Sequence, residues 1–154
     1  MIFSKGKGEK VFFRCKWLIF IGAEPIRAEG LAAGMAVKQR HRAHTILIVE
    51  DDQGLAELIA DALRAHGAIC EIALNGDQAL AWLGANHADL VLLDYSLPDM
   101  KGDAFVHAMQ GSLGAAPFIV MTGHGDERIA VEMMKAGARD YLTKDISLLE
   151  RLPV

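Results

Sequence analysis

Five short runs that favour β-strands, which alternate with segments of helical periodicity from residue 45 onward, constrain the fold more than any other feature. The runs are Thr45–Val49, Ala68–Leu74, Asp89–Leu93, Pro117–Met121 and Asp140–Thr143. Nearly continuous apolar strands are typical of a parallel sheet that is covered on both faces. Strands that alternate with helices predict an α/β fold with a doubly wound parallel sheet and right-handed crossovers.

Helix signals fill the segments between these runs. Asp52 and Asn75 are placed to cap the first two helices, and Gly67 and Gly137 are placed to end the first and fourth helices. The apolar spacing predicts helical segments over 55–63, 79–86, Ala104–Gln110, Ile129–Ala136 and Ile146–Leu152. The last of these is short for a fold of this kind.

Charged and hydroxyl side chains follow the strands at the ends where ligands bind in open parallel sheets. Glu50, Asp51 and Asp52 follow the first strand, and Asp94 follows the third; Thr122 and Lys144 follow the fourth and fifth. Clustered carboxylates repel each other and need a cation, and a hard site of oxygen atoms favours Mg²⁺. A carboxylate can also attack phosphorus, while an ammonium and a hydroxyl stabilise the transferred oxygens. The sequence therefore predicts phosphoryl transfer to a side chain at this edge.

Four motifs resemble the receiver domain of response regulators, the phosphoacceptor proteins of two-component signalling. They are Ile46–Asp52 (ILIVEDD), Val91–Gly102 (VLLDYSLPDMKG), Val120–Asp126 (VMTGHGD) and Gly137–Lys144 (GARDYLTK). The resemblance implies a flavodoxin-like, five-stranded sheet of order 2-1-3-4-5 over residues 45–154.

The resemblance also implies a role for each site residue. Asp94 is the phosphoacceptor, and the metal ligands are Asp51, Glu50 acting through water, Asp94 and the backbone carbonyl of Ser96. Thr122 and Lys144 hold the phosphoryl oxygens, and Tyr141 turns inward when the Thr122 hydroxyl moves toward the phosphate.

In function, the resemblance implies a signalling phosphoacceptor that depends on Mg²⁺ and catalyses only its own phosphorylation and dephosphorylation. The donor is a sensor histidine kinase or a phosphotransfer protein, and the output is a conformational switch. The face formed by the fourth helix, fifth strand and fifth helix is expected to bind a second copy or an output partner. The alternative is a phosphorylation-independent binding module with the same fold.

Two positions in the loops after the strands have simpler interpretations. Asp99 lies in a Pro-Asp turn and is interpreted as a structural turn residue. His124 lies near the predicted site, either as an exposed loop histidine or as a group that affects the access of water. An aspartyl phosphatase is disfavoured because position 96, where that class commonly carries a second acid, is serine.

The first 44 residues differ in charge from the rest of the chain. They hold nine Lys/Arg against three Asp/Glu, whereas residues 45–154 hold seven against seventeen. This segment is interpreted as a basic leader that is poorly ordered or follows from a mis-assigned start; its seven-residue apolar run, Trp17–Ala23, also has some likeness to a short signal peptide.

Composition narrows the remaining function classes. The net charge of −4 argues against general nucleic-acid binding. The two cysteines, Cys15 and Cys70, form neither a disulfide framework nor a zinc motif, and Cys70 is predicted to be buried. No apolar run reaches the length of a membrane span, so a cytoplasmic location is expected.

Two features depart from the receiver pattern. Asp145 stands where receivers usually have a proline after the lysine, so the following loop is expected to be trans or rearranged. Only ten residues follow Lys144, and the final helix is therefore expected to be abbreviated.

Overall fold

The computed structural model describes residues 43–112, 116–123 and 126–152. The interpretation of residues 1–44 as a leader falls almost wholly outside this part and stays a prediction, and His124 also lies outside it. The described chain alternates strands and helices in the order β1-α1-β2-α2-β3-α3-β4-α4-β5-α5.

All five strands are parallel and lie in the order β2-β1-β3-β4-β5, which confirms the predicted doubly wound sheet. They are β1 Thr45–Val49, β2 Ile69–Ala73, β3 Leu90–Asp94, β4 Phe118–Thr122 and β5 Asp140–Thr143. The predicted bounds agree within one residue at every end; Asp94 and Thr122, predicted to lie just after their strands, are the last residues of β3 and β4. The three central strands are buried almost throughout because helices cover both faces.

The helices are α1 Gln53–Arg64, α2 Gly76–Ala85, α3 Gly102–Ser112, α4 Glu127–Lys135 and α5 Leu148–Arg151. Helix α3 begins two residues earlier and ends two residues later than predicted. Helix α4 begins two residues earlier, and α5 is shorter than the predicted Ile146–Leu152. Apolar spacing locates the contact face of a helix, whereas polar residues in its first and last turns leave the ends undefined.

All four predicted helix signals are confirmed, including Gly137, which follows α4 with a φ of 99°. Asp52 and Asn75 accept hydrogen bonds from the backbone amides of Leu55 and Gln78, at 3.0 and 2.9 Å. Gly67 has a φ of 89°, a left-handed conformation that glycine adopts without strain.

Two apolar layers hold the helices against the sheet. Helices α1 and α5 cover one face, where Ile59 and Leu148 pack with Ile46, Leu92 and other strand residues. Helices α2, α3 and α4 cover the opposite face around Phe105. Burial of each large aliphatic side chain contributes about 1.5–3 kcal/mol before conformational entropy is subtracted. The two layers fix the carboxyl edge of the sheet, where the polar residues collect.

Candidate phosphoacceptor site

The strand register brings the predicted site residues to one edge of the sheet. Asp94 pairs with Met121, and Thr122 pairs with Thr143, so the ends of β3, β4 and β5 come in successive rows. The backbone amide of Glu50, just after β1, donates to the carbonyl of Ala73 at 3.0 Å. Glu50, Asp94 and Thr122 are the polar residues buried within the described core, with exposures of 1%, 4% and 3%.

The ammonium of Lys144 joins two of these carboxylates. Its Nζ donates to Glu50 Oε1 at 2.9 Å and lies 2.7 Å from Glu50 Oε2. The same atom lies 2.7 Å from Asp94 Oδ2. The backbone amide of Lys144 also donates to the carbonyl of Thr122 at 2.7 Å, which places the lysine beside the end of β4. One ammonium therefore bridges two buried acids and offsets part of the repulsion between them.

Burial and ion pairing shift the pKa values of Glu50 and Lys144 in opposite directions. Burial desolvates the Glu50 carboxyl and raises its pKa, although the hydrogen bond from Lys144 opposes the shift. Burial alone would lower the pKa of Lys144, but the hydrogen bonds to Asp94 and Glu50 outweigh it and raise the pKa. Lys144 therefore remains charged at neutral pH.

Three carboxylates at this edge could hold a metal ion. Glu50, Asp51 and Asp94 each offer an oxygen atom, and these atoms lie within 4.8 Å of one another. Asp51 is exposed at the mouth of the site, whereas Glu50 and Asp94 form its floor. Glu50 Oε2 is buried and lies 2.7 Å from Lys144 Nζ, an ion-pair contact that the ammonium makes beside its hydrogen bond to Oε1. This oxygen-only donor set, with an accessible side, suits a hard cation.

The loop after β3 is tied to both Asp94 and helix α2. The Ser96 amide donates to Asp94 Oδ1 at 3.1 Å, which leaves the Ser96 carbonyl in the loop that borders the acid. Asp99 accepts from the amides of Gly76 and Asp77 at 3.0 and 2.8 Å. Asp99 is structural, as predicted, but it caps a helix more than twenty positions away, and a local turn motif gives no signal of such a partner.

Thr122 and Tyr141 occupy different environments. Thr122 is buried at the end of β4, whereas Tyr141 on β5 is 46% exposed. The Tyr141 side chain lines a surface cleft with α4 residues that include Ala130, Val131 and Met134. The structure thus brings Glu50, Asp51, Asp94, Thr122 and Lys144 together and places Tyr141 outside that group.

The segment after Lys144 contains contacts that sequence reasoning missed. Asp145 Oδ2 lies 2.8 Å from Arg151 Nη2, and no cis peptide bond occurs in the described chain. The expectation of a trans loop is therefore confirmed. Arg151 carried no sequence signal, because a single arginine in a short predicted helix is compatible with simple solvation.

Comparison with known proteins identifies the family. The sequence model described as the response regulator receiver domain matches residues 46–152, which is most of the chain. The chain belongs to the response regulator receiver family. Receiver domains of this family are signalling domains and not classical enzymes.

Individual relatives agree with the assignment. The receiver is 33% identical over 106 residues to the probable transcriptional regulatory protein TcrX of Mycobacterium tuberculosis, covering 69% of this chain and 45% of that protein. It is 39% identical over 97 residues to the luminescence regulatory protein LuxO of Vibrio campbellii, covering 63% of this chain and 21% of that protein. The chain thus spans less than half the length of these relatives.

Solved receiver structures share its architecture. The receiver domain of the Francisella response regulator 1452 superposes with a TM-score of 0.64 at 25% identity, covering 70% of this chain and 88% of that one. A CheY-like receiver domain protein from Methanospirillum hungatei superposes with a TM-score of 0.61 at 30% identity, covering 68% of this chain and 84% of that one. Within the described residues, no helix has the length and apolar character needed to cross a membrane.

Proposed function

We propose that this receiver accepts a phosphoryl group on Asp94 in a two-component phosphorelay. The observation that carries the proposal is the contact of 2.7 Å between the buried Asp94 carboxylate and Lys144 Nζ, beside two further acids. A structural ion pair needs only one acid and one base, and it does not need an exposed third carboxylate at its mouth. An acceptor site needs a nucleophile, a cation and an opening, and these residues provide all three.

The chemical step is an in-line displacement at phosphorus. A carboxylate oxygen of Asp94 forms the new P–O bond as the P–N bond to a donor phosphohistidine breaks, and the imidazole leaves with the bonding electron pair and takes up a proton. The Lys144 ammonium neutralises charge on the transferred oxygens, and the Thr122 hydroxyl donates to one of them. Lys144 also holds the Asp94 carboxylate, the proposed nucleophile, through the contact of 2.7 Å between Nζ and Oδ2.

The proposed phosphoryl transfer also needs a divalent cation. Glu50, Asp51, Asp94 and the carbonyl of Ser96 would hold Mg²⁺, with Asp51 and Asp94 in direct contact. When bound, the ion supplies charge neutralisation on the phosphoryl oxygens. The fit rests on the three convergent carboxylates, whose oxygen atoms lie within 4.8 Å of one another, and on the exposed side that Asp51 gives the site.

The proposed output is a shift between two conformations at β4 and β5. In the second conformation, Thr122 Oγ1 turns toward the phosphoryl group, and Tyr141 moves into the space that the threonine leaves. The present exposure of Tyr141 in the cleft beside α4 supports an outward starting position, from which the ring would turn toward the interior. The face formed by α4, β5 and α5 would then change shape and bind a second copy or an output partner.

The partners follow from this chemistry. A sensor histidine kinase or a phosphotransfer protein supplies the phosphohistidine, and the phosphorelay operates in the cytoplasm. Nucleic acid is not among the proposed ligands of the receiver, because its charge is strongly acidic over residues 45–154.

Intact-mass spectrometry tests the proposal. The full chain is incubated with acetyl phosphate, or with phosphoramidate as a model of the P–N bond, with and without Mg²⁺. The expected result is one added phosphoryl group that requires Mg²⁺, disappears in Asp94→Asn and persists in the matched control Asp52→Asn. No added mass in the wild type, together with no Mg²⁺ binding, would support the phosphorylation-independent binding module instead.

A further inference from the structure

One guanidinium contacts the residues on both sides of Lys144. Arg151 Nη2 donates to the carbonyl of Thr143 at 2.9 Å and to Asp145 Oδ2 at 2.8 Å, and Nη1 donates to Thr143 Oγ1 at 3.2 Å. Thr143 precedes Lys144 and Asp145 follows it. The planar fork of arginine suits this arrangement, because its donors reach several acceptors in fixed relative positions.

Asp145 closes the other side of the loop. Its Oδ1 accepts from the amide and the hydroxyl of Ser147 at 2.8 and 2.6 Å, while Oδ2 pairs with Arg151. The Asp145 amide donates to the carbonyl of Thr143 at 2.9 Å. Both carboxylate oxygens are therefore used, and the loop from Thr143 to Ser147 is held by short contacts at each end.

The short helix α5 anchors Arg151. Leu148 and Leu152, on either side of the arginine, are buried against the sheet face that α1 covers. The Arg151 side chain is only 37% exposed, and its Nε is buried without a hydrogen-bond partner in the described chain. The guanidinium is therefore held against the loop and is not a mobile surface charge.

The position of the Lys144 ammonium depends on the backbone of this loop. A lysine side chain has four rotatable bonds and little preference of its own among rotamers, so an ordered ammonium needs a fixed backbone. The contacts of Lys144 Nζ with Glu50 and Asp94 fix one end of the side chain, and the Arg151 network fixes the other. Misplacement of a reacting group by about 1 Å can cost roughly 100-fold in rate.

We propose that Arg151 and Asp145 are positioning residues that set the backbone of Lys144 so that its ammonium reaches Asp94. The effect on phosphorylation rests on the function proposed above, whereas the effect on the placement of Lys144 does not. A purely structural ion pair would alter stability without a selective effect on Lys144. The two roles are therefore separable by experiment.

The test compares Arg151→Met, Arg151→Lys and the control Arg139→Met, which removes an exposed arginine at the opposite end of β5. The full chain is used, and thermal unfolding establishes that each variant is folded at the assay temperature. Three quantities are measured: the rate of phosphoryl uptake from acetyl phosphate at saturating Mg²⁺, the Kd for Mg²⁺, and the acetylation rate of each lysine by acetic anhydride, read by peptide mass spectrometry.

In Arg151→Met, uptake is expected to fall roughly 10- to 100-fold, and Lys144 is expected to acetylate faster while Lys101 and Lys135 are unchanged. The Kd for Mg²⁺ does not rise, because none of the acids that form the metal cluster contacts Arg151, and an ammonium that leaves Asp94 competes less with the ion for their charge. Arg151→Lys is expected to show smaller changes than Arg151→Met in both the uptake rate and the acetylation rate of Lys144. Arg139→Met is expected to match the wild type in both.

Unchanged acetylation of Lys144 in Arg151→Met would overturn the proposal, as would a uniform rise at all lysines. Normal uptake despite faster acetylation would also overturn it. A wild type that takes up no phosphoryl group would refute the proposed function, and the acetylation rates would still decide whether Arg151 positions Lys144.

Discussion

Lys144 and Glu50 are 94 positions apart in the chain, yet Lys144 Nζ lies 2.9 Å from Glu50 Oε1. Asp94 shares the same ammonium at 2.7 Å. Two buried acids and one partly buried base therefore form a single electrostatic unit, in which loss of the base leaves like charges facing each other. The effects of this unit on stability and on Mg²⁺ affinity can be measured separately from phosphorylation.

Lys144→Met is expected to destabilise the protein by about 1–3 kcal/mol at pH 7, because it leaves two buried carboxylates without their cation. Since pairing raises the folded-state pKa of Lys144, the stability that it contributes is fully present below the unfolded pKa near 10.5 and is lost as pH rises through the higher folded pKa. Urea unfolding measures the difference in the free energy of unfolding between the wild type and Lys144→Met. This difference should be smaller above pH 10.5 than at pH 7. A constant difference would argue against the ion-pair origin.

The same variant should bind Mg²⁺ more tightly than the wild type. The ammonium and the metal ion compete for the same negative charge, so removal of one strengthens binding of the other. Isothermal titration calorimetry of Lys144→Met beside the wild type measures this directly. A weaker affinity in the variant would mean that Lys144 supports the arrangement of the acids more than it competes for their charge.

Asp51 and Asp52 offer a matched pair for testing the metal site. Mg²⁺ at about 100 times its Kd should raise the free energy of unfolding by about 2.7 kcal/mol in the wild type. Asp51→Asn should abolish this gain because it removes an exposed ligand. Asp52→Asn should retain it, since asparagine can replace the cap that Asp52 gives to Leu55. Equal losses in the two variants would place the ion elsewhere.

Thr122→Val should lower the rate of phosphoryl uptake, while Thr122→Ser should come close to the wild-type rate. Valine keeps the shape of this buried side chain but removes the hydroxyl donor, and loss of one such donor typically costs about 100-fold or more. The uptake rate from acetyl phosphate at saturating Mg²⁺ is the measurement. Equal rates for valine and serine would exclude the hydroxyl from the transfer.

Asp99 gives the protein an acid-sensitive contact away from the predicted acceptor. Desolvation would raise the pKa of Asp99, but hydrogen bonds from the amides of Gly76 and Asp77 outweigh it and lower the pKa. The stability from this contact is therefore present above the ordinary value of 3.8 and is lost as pH falls through the lower folded pKa. Asp99→Ala should cost about 1 kcal/mol at pH 7 and less in acid, as urea unfolding at both pH values would reveal. A cost that does not change with pH would contradict the carboxylate cap.

The sequence predicted the sheet well because its three central strands are buried on both faces and stand out as nearly continuous apolar runs. It also predicted the cluster of Glu50, Asp51, Asp94, Thr122 and Lys144, since parallel strands bring their carboxyl ends to one edge. The direct contact between Lys144 and Glu50 was not predicted, because it depends on side-chain distances across four strands, β1, β3, β4 and β5. The Arg151 network was missed for a similar reason: its main acceptor on Thr143 is a backbone carbonyl, which leaves no trace in the sequence.

The most direct test of the central claim identifies the atom that receives the phosphoryl group. The wild type is phosphorylated with acetyl phosphate and Mg²⁺ and then reduced with borohydride, which converts an aspartyl phosphate to homoserine. Tandem mass spectrometry should find homoserine at position 94 and unmodified aspartate at positions 51 and 52. Homoserine at another acid, or none at all despite an added phosphoryl mass, would contradict the assignment of Asp94 as the acceptor.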